Sequence, residues 1–253
     1  MKNTKYPIYI PSKGRANKCL TANLLLKDEV EFKIVVEPQD EKSYSEKYGQ
    51  NKIIVLDRNN GGLSYARNYI KKLCFNKGES HVWQLDDDIN YFLERINNKN
   101  VRQNALKVLS IAETEIDKYS NVGISGLVDC LYAWTKTTDL GINKLVASAV
   151  LIKTDLPVLY SSEVIEDLDY AIQVLQSGQC TILFHRIMYQ KQPNNVANGG
   201  QNNEKLIGYT KLQENVVAKY PEHYKMRYDA KKNLWKLAPS RIWLTFKQSL
   251  IIK

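Results

Sequence analysis

Short apolar runs alternate with polar loops along the first third of the chain, and each run is closed by residues that end a strand. Ile8 to Ile10, bounded by Pro7 and Pro11, reads as a strand that stops in the polar loop Ser12 to Arg15. A helix is expected from Ala16 to about Lys27. Phe32 to Val36 reads as a second strand ending at Glu37-Pro38, and Lys52 to Leu56 as a third ending in Asp57 to Gly62. Beyond the glycine pair, Leu63, Ala66, Ile70 and Leu73 recur at helical spacing. His81 to Leu85 is a fourth strand, running directly into Asp86, Asp87 and Asp88. Strands alternating with helices predict a Rossmann-like half on a parallel sheet.

The second half is less regular. Ala105, Leu109, Ala112 and Ile116 share one helix face, and Ile165, Leu168, Ile172 and Leu175 line a helix expected over Glu163 to Gln176. Strands are expected at Val122 to Val128, Leu145 to Ile152 and Thr181 to Phe184. Pro193 to Asn203 is rich in Asn, Gly and Gln, a composition suited to a lid over a bound ligand. It marks the expected boundary between an α/β domain over 1–205 and an extension over 206–253.

A length of 253 residues suits one large α/β domain with such an extension. Four widely spaced cysteines without a CxxC pair read as reduced thiols, and no apolar run has the length of a signal core or membrane span. A cytoplasmic protein without a membrane partner is therefore expected. Charge changes the picture more. From Lys219 to Lys253 nine basic residues face two acids, so this segment carries +7 of the net +9. Aromatic residues interleave with it. Lys231, Lys232 and Lys236 could neutralise phosphates while Trp235 and Trp243 stack on an extruded base. Alternatively the aromatics form the core of a small helical cap, since Tyr220, Tyr224 and Tyr228 are spaced by four.

In a doubly wound sheet, ligands bind beyond the carboxyl ends of the strands. Four such ends present Ser12 to Arg15, Glu37 to Asp40, Asp57-Arg58 and the three aspartates. Consecutive carboxylates at the end of an apolar strand need compensation, and a hard divalent cation such as Mg2+ supplies it. Asp86 and Asp88 would point to one side of an extended stretch. A solvated acidic turn is the other reading. Glu166 and Asp167 sit at a helix start, where acids also serve the helix dipole. Arg67 and Lys71, four apart, read from spacing alone as a solvated basic face.

The run Asn59 to Asn68 (NNGGLSYARN), a helix, and then Val82 to Asp88 (VWQLDDD) together resemble the core of family 2 glycosyltransferases with the GT-A fold. In that family an N-x-G-x-x-x-A-R-N helix precedes a strand ending in a DxD motif. The resemblance implies a nucleotide-sugar donor, with UDP expected, and a bound Mn2+ or Mg2+. Asp86 and Asp88 would form the DxD, with Asp88 the direct metal contact and His185 a further ligand. Arg67 would reach the nucleotide side. Pro11, Ser12, Arg15, Glu37, Asp40, Asp57 and Asp87 complete the expected donor site. The family's x-E-D motif matches Ile165-Glu166-Asp167, 81 positions after Asp86 by its last residue. Asp167 would then be the general base of an inverting transfer, with Glu166 supporting it.

The opening Ile8 to Arg15 (IYIPSKGR) is more similar to phage glycosyltransferases associated with TET/JBP dioxygenases, which act on hydroxymethylated DNA bases. The resemblance covers roughly residues 6–190. It implies a GT-A fold, a Rossmann-like nucleotide-binding half with a mixed-sheet acceptor half, and DNA as the acceptor. The competing readings are the same chemistry on a glycan, lipid or protein, a nucleotidyltransferase, and a non-enzymatic nucleic-acid-binding protein.

Overall fold

A computed structural model describes residues 1–133, 136–191, 203–230, 233–238 and 240–253, with the side chains of 203–208 outside that description. The first half comprises β1 (Ile8–Pro11), α1 (Leu20–Lys27), β2 (Lys33–Val36), α2 (Glu41–Tyr48), β3 (Ile53–Val55), α3 (Gly62–Asn76) and β4 (His81–Leu85). β2 and β4 flank β1 and β3 flanks β2, all parallel. Ile8, Ile10, Ile34 and Val36 are buried, as continuous apolar runs should be when helices cover both sheet faces.

Three details differ from expectation. The helix expected from Ala16 is interrupted at Cys19, whose ψ of 86° leaves a separate 3-10 turn over Ala16–Lys18. α2 carries no aliphatic stripe and is anchored by Tyr44 and Tyr48, which is why its periodicity was silent. On α3 the buried stripe is Ala66, Ile70 and Cys74, while Leu63 is exposed.

The second half adds β5 (Ile89–Ile96), β6 (Lys99–Gln103), α4 (Ala105–Ile116), β7 (Val122–Asp129), α5 (Cys130–Ala133), β8 (Leu140–Ile142), β9 (Ala149–Lys153), α6 (Glu166–Gln176) and β10 (Cys180–Lys191). The sheet runs β3-β2-β1-β4-β9-β7-β10-β5-β6, with β8 on β10. β9 is antiparallel to both β4 and β7, and β10 is parallel to β7. The carboxyl ends of β1, β2, β4, β7 and β10 therefore share one edge. A parallel half joined to a mixed half is the layout expected of GT-A.

The β5–β6 hairpin was not anticipated. It turns at Asn97 and Asn98, both at positive φ, the backbone of a two-residue turn. β10 is three times the expected length because β7, β8 and β5 all pair with it. The strand expected from Leu145 starts only at Ala149, and α6 starts at Glu166 rather than Glu163.

The chain then continues through α7 (Asn203–Lys219), β11 (Met226–Asp229) and β12 (Leu234–Leu237). Tyr220 and Tyr224 lie beyond the end of α7 and Tyr228 on β11, so no helix carries the three tyrosines. Val216, Tyr220, Tyr224 and Ile242 pack against Val164, Leu168 and Ile172. The last residues return to the sheet, where Ser120 N–H donates to Ile251 O (2.9 Å) and Lys253 N–H to Lys118 O (2.9 Å). Residues 193–202 of the expected lid, with Lys231 and Lys232, lie outside the described residues. Among the described residues no helix is long and apolar enough to cross a membrane.

Glu113 of α4 ties the helix layer to the sheet. Its buried carboxylate accepts from Lys5 N–H (3.1 Å), Tyr6 N–H (3.2 Å) and Trp83 Nε1–H (2.9 Å). Glu113→Leu strands these donors and should lower the unfolding free energy by about 3 kcal/mol. Urea denaturation would show it as a lower midpoint at unchanged slope.

Candidate active site

A cavity of about 630 Å³ opens at the shared strand edge. Pro11, Ser12, Arg15, Glu37, Asp86, Asp87 and Asp88 line it, with Val35, Leu56, Leu63 and Ala66 as its apolar wall. This explains the exposure of Leu63. Glu37 is buried, paired to Lys13 Nζ at 2.7 Å and accepting from Gln39 Nε2 at 2.9 Å. Burial pushes its carboxyl upward, but Lys13 and the backbone N–H groups of Asn60 and Gly62 outweigh that and hold it below the usual range. Asp40 and Asp57 do not line the cavity. Asp40 Oδ2 accepts Gly14 N–H at 3.0 Å and so shapes the loop after β1. Asp57 is exposed and held by Tyr65 OH and Arg58.

The three aspartates have three different situations. Asp87 is buried, accepting from Ser12 Oγ (2.6 Å) and Arg15 Nη1 (2.8 Å), so it clasps the first loop. Asp86 donates its N–H to Ser148 O at 2.7 Å, and its Oδ1 accepts from Arg67 Nη2 at 2.9 Å. Thr21 Oγ1 donates to Asp86 O (2.5 Å) and accepts from Ile89 N–H (2.9 Å), which fixes the turn. Asp88 Oδ1 is buried and has no hydrogen-bond partner. Burial and the Asp86 charge push the Asp88 carboxyl up to about 6, with Lys191 opposing.

A buried carboxylate oxygen without a partner beside a second carboxylate suits a hard cation. Among the described residues no cluster of three His, Cys, Asp or Glu side chains could hold a metal unaided. Phosphate and water oxygens would have to complete such a shell, as is usual for Mg2+. His185 does not line the cavity. It lies within β10 rather than after its strand, with Nδ1 at 3.1 Å from Thr138 O, and burial lowers its pKa.

Arg67 is placed differently from expectation. It is 3% exposed and does not line the cavity. Its Nη2 donates to Asp86 and its Nη1 to Asp167 Oδ1, with Glu166 at 3.7 Å. The guanidinium also lies 5.2 Å from the Tyr160 ring centroid. One buried cation thus joins the strand-end aspartate to both acids at the start of α6. Burial raises the Asp167 pKa above the usual carboxylate range, with Glu166 and Asp86 adding to it and Arg67 opposing. Lys71 is buried as well, donating to Leu156 O and Val158 O, so the expected solvated basic face does not exist.

The basic, aromatic residues from Lys219 onward fall into two populations. Lys219 Nζ and Tyr220 OH both meet the buried Asp169 carboxylate at 2.6 Å, and Lys236 pairs with Asp229 at 2.5 Å. Trp243 packs against two core clusters. Trp235 is 54% exposed, its ring 5.6 Å from that of Tyr228. Sequence reasoning missed Thr21, Ser148, Tyr160 and Lys191. None belongs to a motif, and the positive φ of Ser148 (64°) leaves no mark in composition.

A parallel Rossmann-like half joined to a mixed half through one sheet, with its strand ends on a shared edge, is the layout of the GT-A class. The sequence model of the TET-associated glycosyltransferases matches residues 6–200, and the chain belongs to that family. Among proteins of curated function none matches the chain. Similar solved structures include a protein assigned as a nucleotide-diphospho-sugar transferase from Desulfovibrio desulfuricans G20, at 9% identity and TM-score 0.41, covering 86% of this chain and 98% of that one. The apo-form glycosyltransferase GlyE of Streptococcus pneumoniae TIGR4 is 13% identical at TM-score 0.40, over 95% of this chain and 66% of that one. The 4-diphosphocytidyl-2C-methyl-D-erythritol synthase of Anaerococcus prevotii DSM 20548 is 10% identical at TM-score 0.43, over 83% and 96%. Family membership stands on the sequence match alone.

Proposed function

We propose that the protein transfers a sugar from a nucleotide-sugar, with UDP as the expected nucleotide, to the hydroxyl of a hydroxymethylated DNA base, by a single inverting displacement. The observation that carries this reading is the Asp86–Arg67–Asp167 connection, which holds the two candidate catalytic motifs on either side of one guanidinium. Pro11, Ser12, Arg15 and Glu37 line the cavity for the nucleotide. Asp88 and the second oxygen of Asp86 would hold Mg2+ or Mn2+, which would neutralise charge on the leaving diphosphate. Asp167 accepts the acceptor's proton, and its raised pKa makes it a stronger base than an ordinary aspartate. Glu166, also within reach of Arg67, supports that carboxylate.

The family's association with TET enzymes and the +7 segment support a DNA acceptor. Exposed Trp235 offers a ring for base stacking, and β11–β12 is proposed as part of an acceptor-facing extension; the boundary expected at 205/206 falls within α7, so α7 goes with it. Incubation with a panel of nucleotide-sugars and hydroxymethylated DNA, followed by mass spectrometry of the released nucleosides, tests both donor and acceptor. A nucleoside heavier by one sugar is expected, and EDTA should reduce its formation by about tenfold or more. Release of pyrophosphate from a nucleoside triphosphate, without sugar transfer, would overturn the reading.

A further inference from the structure

Four cations approach the cavity edge, and three are already committed. Lys13 sits 2.7 Å from Glu37, Arg15 sits 2.8 Å from Asp87, and Arg67 is buried between Asp86 and Asp167. Lys191 is held more loosely, its ion pair to Asp86 and its hydrogen bond to Ser148 both being long at 4.0 Å and 3.3 Å. It ends β10, and the parallel pairing of β10 with β7 brings that end to the edge where Asp86 terminates β4. Its Nζ lies 4.0 Å from Asp86 Oδ2, the oxygen that Arg67 leaves free, and its charge also acts on Asp88. The side chain is 24% exposed and stands behind Asp86, beside the cavity lining rather than within it.

The surroundings hold this ammonium in place. Nζ is 3.3 Å from Ser148 Oγ, and the Ser148 side chain also bonds the buried Tyr189 hydroxyl. Ser148 O accepts the Asp86 N–H at 2.7 Å, and the residue adopts φ +64°, which a serine rarely takes without reason. One strained residue thus ties the lysine to the aspartate turn.

We propose that Lys191 is a catalytic residue that binds the leaving diphosphate of the nucleotide-sugar over the Asp86–Asp88 turn. The inference rests on the glycosyltransferase reading. In the transfer, the bond from the anomeric carbon to the diphosphate oxygen breaks, and its electron pair stays on the diphosphate. The acceptor oxygen bonds to that carbon and its proton passes to Asp167. Lys191 donates hydrogen bonds to the diphosphate throughout and keeps its own protons. Because Asp87 is spent on the first loop and Asp86 is shared with Arg67, Lys191 supplies positive charge to the diphosphate beside any cation that Asp88 would hold.

The test is nucleotide binding in excess EDTA, which removes the cation from the comparison. UDP, GDP, CDP, ADP and dTDP are each titrated by calorimetry, alongside the matching monophosphates. The wild type should bind its preferred diphosphate about tenfold or more tightly than the monophosphate. Lys191→Met and Lys191→Gln should bring that ratio close to one while leaving monophosphate affinity in place. Lys191→Arg should keep most of the preference, and thermal melting identifies which variants are folded. The same ratio in the wild type and a folded neutral variant overturns the assignment. If the wild type binds none of the five diphosphates with or without Mg2+, the glycosyltransferase reading fails and this inference falls with it.

Discussion

Asp167→Asn should lower turnover by about 10²–10⁴-fold, the range that a positioned general base contributes. The amide can still offer its oxygen to Arg67 Nη1, so the Asp86–Arg67 pair and the cavity should survive. Donor affinity is then expected within about twofold of wild type, which separates lost chemistry from lost binding. The pH profile gives a second signature. A base must be ionised, so wild-type activity should fall on the acid side as Asp167 takes up a proton. That limb should lie above the roughly pH 4 typical of a free aspartate, because burial raises this group. The Asn variant should lack it. If Glu166→Gln is crippled and Asp167→Asn is nearly normal, the two acids have exchanged roles.

Arg67→Met should be the most damaging substitution for the fold of the site. The guanidinium is 3% exposed and faces Asp86, Asp167 and Glu166, so its removal leaves three half-buried carboxylates together without a cation. Breaking a fully buried pair from one side costs about 3–5 kcal/mol, and the partial exposure of the acids puts the expected loss at about 3 kcal/mol. The sign of its pH dependence follows from proton binding. Arg67 opposes the upward shift of Asp167, so without it the folded carboxyl rises further above its unfolded value of about 4. Between those values the folded state holds more protons than the unfolded one, and stability falls as pH rises. The deficit relative to wild type should therefore be smaller near pH 5 than near pH 8. Urea denaturation at the two pH values checks this, and an equal deficit at both would mean that packing rather than charge was lost. Turnover should collapse as well, since neither motif keeps its partner.

Local pattern alone determined the strands of the Rossmann-like half. Interior parallel strands are continuous apolar runs, their ends are marked by proline, glycine and acidic residues, and both signals are confined to a few neighbours. The aspartate turn, the arginine helix and the acids that open α6 were legible for the same reason. Pattern did not reach α2, anchored by two tyrosines, or the β5–β6 hairpin, whose outer strand is mostly exposed. It also placed Trp243 with Trp235, although one ring is packed and the other is open. The count of basic residues was readable, but not that Lys219 would be spent on Asp169, 50 positions earlier.

What only the tertiary structure decided is the destination of the charged groups at the strand edge. Arg67 reaches Asp167 across 100 positions, Ser12 reaches Asp87 across 75, and Lys191 reaches Ser148 across 43. A buried ion takes the partner that the chain path delivers to it, because desolvation makes any unpaired arrangement costly. Spacing along the sequence carries no record of that path, so the residues were visible while their pairing was not.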